Sequence, residues 1–346
     1  MHRKLFYHCL KCTKKQKLID KNYNYHIIKV KENSLGKKFP NLRRIHMKKI
    51  AVIGSMNVDL VFEMPRVPQK GETISGTRFH MGIGGKGANQ AVAVARLGGD
   101  VTFFGSIGKD IFGTQMREKL KKENIKTCLN ESTRASGVAE VNVYENDNSI
   151  VVIPGANADF NEVFMRSILE QLDNFDIFVF QLEICVDVIE RLITKIRKLS
   201  NKIILLNPAP AKLLSAEMIA QVDYITPNEH EIYEIGIANN DLEDILKKYP
   251  NKMLVTQGEA GVTYYDDAKE EIVLVPALRD VEIIDTTGAG DTFSGAFAYA
   301  LSTGLSLRDA IRFANVAAGI SIRKLGAQEG MPTMHEVEQA LQVENK

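Results

Sequence analysis

The feature that most constrains the fold is a repeated alternation of short apolar runs with helical patterns after Met47. Each run is continuous in apolar residues, which is typical of strands buried on both faces of a sheet. The stretches between the runs have helical periodicity, as at 88–99 and 187–199. This alternation favours an α/β fold with a mostly parallel sheet and helices on both faces. The predicted strands are IAVIGS (50–55), VTFFGSIG (101–108), DIFVFQL (176–182), KIILLN (202–207), DYITP (223–227) and KMLVTQG (252–258).

Two segments in the N-terminal half, 59–82 and 136–157, interrupt this alternation. Both lack a helical period, and the second alternates like a strand around a turn signal at 145–148, which indicates a hairpin. We interpret the two segments as a small β-sheet lid that projects from one edge of the main sheet. The C-terminal half ends instead in long helical patterns over 291–303 and 306–322.

Composition and charge argue against several classes of function. The 346 residues are 45% hydrophobic and carry a net charge of only +1. Because residues 1–46 hold thirteen Lys and Arg against two acids, the remainder is mildly acidic, which argues against nucleic acid or an anionic membrane as a partner. No apolar run reaches the roughly 18 residues that a membrane span needs. The four cysteines suggest reduced thiols in a cytoplasmic protein rather than a disulfide framework.

Residues 1–46 form a basic, aperiodic N-terminal extension, and a clean β run begins just after Met47. We expect the folded domain to span 47–346, and the extension to be a disordered tail or an upstream stretch that is not translated. A mitochondrial transit peptide is the alternative, although the segment is rich in Lys and poor in Arg and Ser. Cys9 and Cys12 form C-x-x-C, but no second Cys or His pair follows at the spacing of a zinc site.

Gly82, Gly84 and Gly87 match G-x-G-x-x-G, the spacing of a dinucleotide-binding loop. A Rossmann fingerprint follows its first strand directly, whereas these glycines come about 30 residues after theirs. A Walker A loop is also excluded, since Gly87 rather than Ser or Thr follows Lys86. The run still opens a helix, so it suits close approach of the backbone to a ligand, with tight packing as the structural alternative.

The first strand is followed by GSMNVDL (54–60), in which Asn57 and Asp59 stand two residues apart. On an extended chain both side chains point the same way, and an amide beside a carboxylate can take several hydroxyls of a sugar. An Asx turn is the structural alternative. Asn89 and Glu183 fall at a helix start and a strand end, where ligands gather in open α/β sheets, and they favour the sugar interpretation.

Two further motifs fit the binding of a nucleotide. In TPNEHE, Asn228 and Glu231 have the spacing of a helix capping box. Glu231 could also help to hold Mg²⁺ beside phosphates through water, since this ion keeps most of its waters. In VTQGEAG (255–261), a strand leads to glycines suited to close backbone approach, although a β-hairpin needs glycines as well.

The stretch DTTGAGDTFSGAF (285–297) is a polar, glycine-broken turn that runs into an apolar helix. Bare glycines at a helix N-terminus leave N–H groups unpaired, and the helix dipole adds positive potential. Such a pocket suits the charge that develops on a transferring phosphoryl group. Asp291 would be a favourable N-terminal acid in any helix, but beside this pocket it is the candidate base for an attacking hydroxyl. Phosphoryl transfer needs its nucleophile oriented more than deprotonated early.

Taken together, GSMNVD, GGKGANQA, NPAPA (207–211), TPNEHE and DTTGAGDTFSGAF resemble the ribokinase-like (PfkB) carbohydrate kinases from about Met47 to the C-terminus. The resemblance implies a three-layer α/β/α fold with a β lid, and homodimers that pair through the lid. It also implies ATP-dependent phosphorylation of D-ribose on its 5-hydroxyl, with Mg²⁺ accompanying ATP and K⁺ as an activating cation.

The resemblance also assigns roles to positions of this sequence. Asp291 would be the base, and the amides of Gly288, Ala289 and Gly290 the anion hole. The sugar-side positions are Asn57, Asp59, Gly85, Lys86, Asn89 and Glu183, with Lys86 also able to neutralise phosphate charge. The nucleotide-side positions are Asn207, Asn228, Thr256, Gly258, Gly261 and Asn315. The potassium positions, mostly through carbonyl oxygens, are Asp285, Thr287, Ser321, Lys324, Gly326 and Gly330.

The sequence departs from the family pattern at Gly330, where a serine is common, so one side-chain oxygen is missing from the expected cation site. Other functions remain as alternatives. A kinase of 2-deoxyribose is the nearest, although Asn57 and Asp59 suit a substrate with a 2-hydroxyl. An already phosphorylated sugar would need cationic partners that the sugar side lacks. A regulatory sugar-binding protein would not need Asp291, and a nicotinamide dehydrogenase rests only on the displaced glycine motif.

Overall fold

The structure is a computed structural model that describes residues 47–145, 147–237 and 241–344. The predictions for residues 1–46, including the C-x-x-C of Cys9 and Cys12, lie outside the described residues. The strands described are β1 (Ile50–Ile53), β2 (Asn57–Glu63), β3 (Arg78–Gly84), β4 (Val101–Gly108), β5 (Lys126–Ser132), β6 (Gly137–Tyr144), β7 (Asp147–Ile153), β8 (Ile177–Gln181), β9 (Ile203–Asn207), β10 (Tyr224–Ile225), β11 (Val255–Thr256), β12 (Val262–Asp266) and β13 (Glu271–Val275). The helices described are α1 (Lys86–Arg96), α2 (Ile111–Lys122), α3 (Glu162–Leu169), α4 (Val186–Ile196), α5 (Ala216–Gln221), α6 (Glu231–Glu234), α7 (Leu242–Lys248), α8 (Ala289–Ser302), α9 (Leu307–Ser321) and α10 (Met334–Glu344).

A six-stranded sheet with the order β10-β9-β8-β1-β4-β5 forms the centre of the molecule. Every neighbouring pair in it is parallel, which confirms the predicted sheet. The chain passes from β1 to β4 and β5 on one side, then returns to β8, β9 and β10 on the other. The carboxyl ends of β1 and β8 therefore flank the point where the strand order reverses, and ligands of open α/β sheets bind at such points.

Both faces of this sheet are buried, as the continuous apolar runs require. In β1, Ile50 and Val52 belong to the core formed with α1, α2, α8, α9 and α10. Ala51 and Ile53 point the other way, into the core formed with α3 to α7. Two helical layers thus enclose one sheet, and the predicted three-layer α/β/α fold is confirmed.

The helices that carry the candidate motifs are the most enclosed. In α8, the residues from Asp291 to Ser302 are buried, which explains why apolar and small residues occur on every side of this helix. Helix α1 lies against α8, and Gly98 follows its end with a φ of 89°, as the terminal glycine predicted. Helix α4 instead buries one stripe of apolar residues and exposes the rest.

A second sheet, termed the small sheet here, contains β2, β3, β6 and β7 in the order β3-β2-β6-β7. Its β2–β3 and β6–β7 pairs are antiparallel and its central β2–β6 pair is parallel. The predicted hairpin is present, with a turn tighter than 145–148, since Tyr144 pairs with Asp147. These strands fall in or next to the two segments, 59–82 and 136–157, that lack helical periodicity.

A third sheet, β11-β12-β13, differs from the prediction for 252–258. Only Val255 and Thr256 of that run are in a strand, and they pair antiparallel with β12 through a short 3-10 turn, Gly258–Ala260. The run still extends the main sheet, because Met253 bridges Ile225 in parallel. The glycines of VTQGEAG thus serve a hairpin, as the structural alternative expected. Within the described ranges, no helix has the length and apolar character that crossing a bilayer requires.

Candidate active site

The candidate side chains converge at the carboxyl ends of β1, β8 and β9. Asn57 begins β2 shortly after β1, Glu183 follows β8, and Asn207 ends β9. Helices α1 and α8 bring Lys86 and Asp291 to the same edge. The charges of Asp291, Glu183 and Glu231 all act on Lys86, so residues far apart in sequence form one site.

On the sugar side, Asn57 and Asp59 lie on the same face of β2, as their spacing predicted. Asn157, in a 3-10 turn over Gly155–Ala158, holds Asn57: its Nδ2 donates to Oδ1 of Asn57 (2.8 Å). The same side chain accepts from the N–H of Met56 (2.9 Å) and donates to its carbonyl (3.1 Å). Asn57 is thereby fixed where β2 leaves the main sheet.

Asp59 is the sugar-side acid that its surroundings perturb most. Burial raises its pKa to about 7, and the negative charges of Glu183, Asp291 and Glu329 add to the effect. Burial and like charges thus disfavour the ionised form of Asp59 in the free protein. Donors supplied by a bound ligand, such as sugar hydroxyls, would satisfy it.

Glu183 ties the sugar side to the start of α1. Its Oε2 accepts from Oγ of Ser55 (2.5 Å) and from the N–H of Lys86 (3.0 Å). Gly85 directly precedes this helix, so the GGKGAN motif is held against the end of β8. The second carboxylate oxygen, Oε1, makes neither of these bonds and can accept from a ligand.

Lys86 lies between the sugar side and the nucleotide side. Burial alone would lower its pKa, but the carboxylates of Asp291, Glu183 and Glu231 outweigh this and raise it. The ammonium group therefore stays charged, and it can balance negative charge that arrives between the acids.

Asp291 occupies the first turn of α8 and is only 6% exposed. Gly288 precedes the helix with a φ of 79°, a left-handed conformation in which a Cβ would also meet the backbone of Ala327. The N–H of Ala289 donates to the carbonyl of Thr286 (3.2 Å), so this amide of the predicted anion hole is already engaged. Among the described residues, those of Gly288 and Gly290 donate to no backbone carbonyl outside regular elements, and Gly290 faces open space.

Side-chain amides from α1 hold the Asp291 carboxylate. Nδ2 of Asn89 donates to its Oδ2 (2.9 Å), and Nε2 of Gln90 donates to its Oδ1 (3.2 Å). Asn89 in turn accepts from Nε2 of Gln328 (2.9 Å). Burial raises the pKa of Asp291, whereas the charge of Lys86 and the two amides act to lower it. The carboxylate is thus oriented, partly neutralised and shielded from water.

On the nucleotide side, the side chains of Asn207 and Asn228 form hydrogen bonds within the protein. Asn207 accepts from Gln90 (3.1 Å) and donates to the carbonyl of Thr226 (3.1 Å). Asn228 accepts from the N–H of Glu231 (2.8 Å), and Glu231 accepts from the N–H of Asn228 (2.9 Å). This reciprocal capping box matches the structural interpretation of TPNEHE. Burial raises the pKa of Glu231, and one of its oxygens stays outside the box.

The remaining nucleotide-side positions border the third sheet. An isolated β-bridge joins Thr256 to Asn228, and the N–H of Thr256 donates to the carbonyl of Pro227 (2.9 Å). Gly258 faces open space, whereas Gly261 packs against the backbone around Val275. Nδ2 of Asn315 donates to the carbonyls of Val275 (2.8 Å) and Pro276 (3.0 Å), which leaves its Oδ1 for a ligand.

The predicted cation positions lie on two segments that one carboxylate joins. Asp285 accepts from the N–H of Thr287 (2.9 Å) and from that of Gly326 (2.8 Å). Burial alone would raise the pKa of Asp285, but these hydrogen bonds lower it. Lys324 extends away towards Glu336 (3.9 Å), so only its carbonyl could face a cation.

Gly330 packs so closely against Ser321 that a Cβ would overlap the carbonyl oxygen of Ser321. The local backbone therefore has no room for a serine at position 330 without a shift, which agrees with the glycine found there. Ser321 itself is buried, and its hydroxyl donates to the carbonyl of Ala318 (2.8 Å).

The geometry as a whole combines a buried acid, free N–H groups at a helix start, and neutral and acidic groups that suit hydroxyls. Such a set can orient an alcohol against a phosphoryl group. Comparison with known proteins agrees, since residues 47–334 match the family described as pfkB family carbohydrate kinase. The chain belongs to this family.

Individual pfkB-family proteins are similar over nearly their whole length. A ribokinase from Lactococcus lactis is 45% identical over 298 residues, which cover 85% of this chain and 97% of that protein. A ribokinase structure from Thermotoga maritima has a TM-score of 0.77 at 32% identity and covers 85% and 99% of the two chains. The structure of Arabidopsis thaliana ribokinase complexed with ribose and ATP has a TM-score of 0.76 at 28% identity, with 85% and 99% covered.

Sequence reasoning missed several residues of this pfkB-family site. Their amides and hydroxyls stand in apolar or glycine-rich stretches, where no spacing signals a contact. Asn157 did carry a weak signal, since it follows the hairpin at the predicted end of the lid. The missed residues with contacts to the site are Ser55, Gln90, Asn157, Gln181 and Gln328.

Proposed function

We propose that the protein transfers the γ-phosphoryl group of ATP to the 5-hydroxyl of D-ribose and releases D-ribose 5-phosphate and ADP. The observation that carries the proposal is the placement of Asp291: a buried acid beside the bare N-terminus of α8, within range of the charges of Lys86 and Glu183. The ribokinases among its relatives support ribose as the acceptor. A non-catalytic sugar-binding protein would not need an acid at this point.

The sugar is held by groups on β2 and after β8. Asn57 can donate and accept, whereas Asp59 and the free oxygen of Glu183 accept hydroxyl hydrogens. Together they fix the ring so that the 5-hydroxyl faces Asp291. Because Asn89 and Gln90 already occupy one position on each oxygen of Asp291, its remaining lone pairs are directed to the substrate.

In the reaction, Asp291 accepts the proton of the 5-hydroxyl as the O5–P bond forms. The bond between the γ-phosphorus and the β,γ-bridging oxygen breaks, and ADP leaves with that electron pair. The free N–H groups of Gly288 and Gly290 and the charge of Lys86 stabilise the negative charge on the transferring group. Asp291 then returns its proton to solvent.

We infer that Mg²⁺ accompanies ATP and is held mainly by the phosphates. Within the described parts of the chain, no group of three or more His, Cys, Asp or Glu side chains could hold a metal ion. Glu231 fits an indirect role, because its capping box fixes the carboxylate near Lys86 and Asp291. Magnesium ions commonly bind through one or two carboxylates, several waters and substrate phosphates.

The loops joined by Asp285 fit a monovalent cation such as K⁺. Asp285 holds the segment at Thr287 against that at Gly326, just before α8, and backbone carbonyls of these two segments would be the ligands. Carbonyl rings are the usual ligands for K⁺ in proteins. A cation there adds positive charge near the start of α8, and Ser321 and Gly330 could contribute carbonyl oxygens.

The test is ADP release by the purified protein with ribose, 2-deoxyribose and fructose, each with and without K⁺. We expect the highest kcat/KM for ribose, because a site built for the 2-hydroxyl leaves polar groups unpaired on 2-deoxyribose. We also expect K⁺ to raise the rate. A clear preference for fructose or 2-deoxyribose would contradict the assignment of ribose, and no ADP release with any sugar would contradict the kinase assignment.

We further propose that the small sheet pairs two copies of the chain. The register places Phe62, Phe79, Met81, Val151 and Ile153 on one face of this sheet, and all five are exposed. Glu140 and Asn142 of β6 lie on the same face, between these apolar residues. Exposed apolar residues grouped in this way and bordered by polar ones mark an interaction surface. Strands β3 and β7 also leave open edges. The small sheet of a second copy would cover both the apolar residues and the open strand edges. The dimerising unit would be the domain 47–346, in the cytoplasm as expected from the sequence.

A further inference from the structure

Gln90 is a buried amide between two layers of the active site. It lies in the first half of α1 and is 0% exposed. Helix α8 approaches at this point, because a Cβ at Gly295 would meet the carbonyl oxygen of Gln90 at 2.6 Å. This close packing brings the Gln90 side chain within reach of Asp291, one turn earlier in α8.

The Gln90 side chain uses its amide fully. Nε2 donates to Oδ1 of Asp291 (3.2 Å) and to Oδ1 of Asn207 (3.1 Å). Oε1 accepts from Nε2 of Gln181 (2.6 Å). An amide nitrogen has two hydrogens, so one group is shared between the acid on α8 and the end of β9.

Gln181 fixes the orientation of the Gln90 amide. It is the last residue of β8 and is 0% exposed. Its donation to Oε1 of Gln90 leaves Nε2 of Gln90 as the end that faces Asp291. Gly54 makes room for this contact, since a Cβ there would overlap Oε1 of Gln181. The arrangement thus depends on residues from three elements.

We propose that Gln90 is a positioning residue for the phosphoryl transfer, which holds the Asp291 carboxylate in the orientation that accepts the proton, and that Gln181 sets the direction of Gln90. This inference rests on the proposed function of Asp291. Asn89 holds the other oxygen of the carboxylate. With both donors present, rotation about the Cβ–Cγ bond is prevented; with one, the carboxylate can turn away from the substrate.

The charges around Asp291 act together with this contact. Lys86 of α1 favours the ionised form, whereas Glu183 after β8 and burial oppose it. Asp291 in turn affects Asp59 and Glu231. Because a hydrogen bond to a carboxylate favours its charged form, loss of the Gln90 donor should raise the pKa of Asp291.

The experiment compares Gln90→Leu with the wild-type protein in steady-state kinetics across pH. We expect kcat to fall by about 10- to 100-fold, as for a misplaced catalytic group, with KM for ribose and ATP changed by less than about twofold. The acidic limb of the kcat profile should move to higher pH. Gln181→Leu should show a smaller effect, and the double variant should be no slower than Gln90→Leu, since both act through one contact.

Two further variants keep the outcome interpretable. Gln90→Glu has the same shape and replaces the donor by an acid, so it should fold and move the acidic limb further upward. Gln115→Leu is the control, because Gln115 lies on α2 with a buried Oε1 that has no partner among the described residues. It should leave kcat and its pH profile unchanged.

Several results would overturn the role of Gln90. These are an unchanged kcat in Gln90→Leu, equal loss in Gln115→Leu, additive losses in the double variant, or an unmoved acidic limb in Gln90→Glu. Wild-type turnover of ribose reports separately on the proposed function. If the wild-type protein is inactive, titration of the Asp291 carboxyl by ¹³C NMR still tests the role of Gln90. An unchanged pKa of Asp291 in Gln90→Glu would contradict the contact between the two side chains.

Discussion

Asp59 shows how a residue proposed to bind the substrate can oppose stability. Its pKa of about 7 in the folded protein lies well above 3.8, its ordinary value. Between these two values the folded state binds more protons than the unfolded chain, so stability falls as pH rises through this window. Above about pH 7 the full cost of the buried charge is present, and the free protein carries it until a ligand supplies donors.

Asp59→Asn should therefore stabilise the free protein at pH 8 and leave its stability at pH 4 nearly unchanged. We expect a gain of about 1–2 kcal/mol at pH 8, after allowance for partial solvent exposure, with a large loss of kcat/KM for ribose. Thermal or urea unfolding at both pH values measures the gain. Asp267→Asn, in the exposed turn after β12, is the matched control and should change neither quantity. A variant less stable than the wild type at pH 8 would contradict the destabilising effect assigned to the buried charge of Asp59.

Residue types alone predicted Asp291, Asn57, Asp59 and Glu183 as polar groups at one edge of the sheet, and the structure brings them there. The internal contacts were not predictable. Asn89 was expected to face the sugar, and the structure adds two contacts within the protein, to Asp291 and to Gln328, 239 residues away in sequence. No local pattern encodes a partner at such a distance, because it depends on how α1 packs against α8.

At the scale of elements, the joint between the main sheet and the small sheet depends on one buried side chain. Asn157 makes three hydrogen bonds to Met56 and Asn57, at the point where β2 begins. Gly137, at the start of β6, lies so close that a Cβ would overlap the amides of Asn157 and Asn57. The sugar-side groups of β2 therefore keep their place only while this turn is intact.

Asn157→Leu should raise KM for ribose by about 10- to 100-fold, which corresponds to the roughly 1–3 kcal/mol cost of unsatisfied buried polar groups. KM for ATP should change little, since the nucleotide-side positions lie elsewhere. Asn174→Leu, in another 3-10 turn but exposed, is the control. The role of Asn157 would be refuted by an unchanged KM for ribose in a folded variant, or by an equal rise in Asn174→Leu.

Elements with a strong period were predictable, and those set by pairing were not. The helical patterns at 291–303 and 306–322 correspond to Ala289–Ser302 and Leu307–Ser321. These patterns are clear in the sequence because α8 is buried and α9 buries one apolar face. Strand β5, with the sequence KTCLNES, was missed because its polar residues suit an edge strand. Strand 252–258 was predicted too long, because only pairing with β12 shows where its regular part ends.

At the scale of the whole molecule, the proposal that two copies associate rests on the exposed apolar residues of the small sheet. Charges placed on this face should separate them. We expect the double variant Phe79→Lys and Val151→Lys to be monomeric in light scattering after size-exclusion chromatography, with the wild type dimeric at the same concentration. Val163→Lys is the control, because Val163 is 76% exposed on α3. A monomeric wild type, or a dimeric double variant, would contradict pairing through the small sheet.

The complete site draws on both halves of the molecule, since α1 and α8 from one helical layer meet β2 of the small sheet and the segment after β8. Asp291 is the residue at which these parts converge. Under the proposed function, this single carboxylate is the proton acceptor, and N–H groups and Lys86 stabilise the charge of the phosphoryl group.

The most direct test is Asp291→Asn, which keeps the shape and removes the charge. We predict that kcat for ribose falls by about 100- to 10,000-fold, the usual contribution of a positioned acid or base, while calorimetry shows ribose and ATP bound with affinities close to those of the wild type. A variant that phosphorylates ribose at the wild-type rate would contradict the assignment of Asp291 as the base.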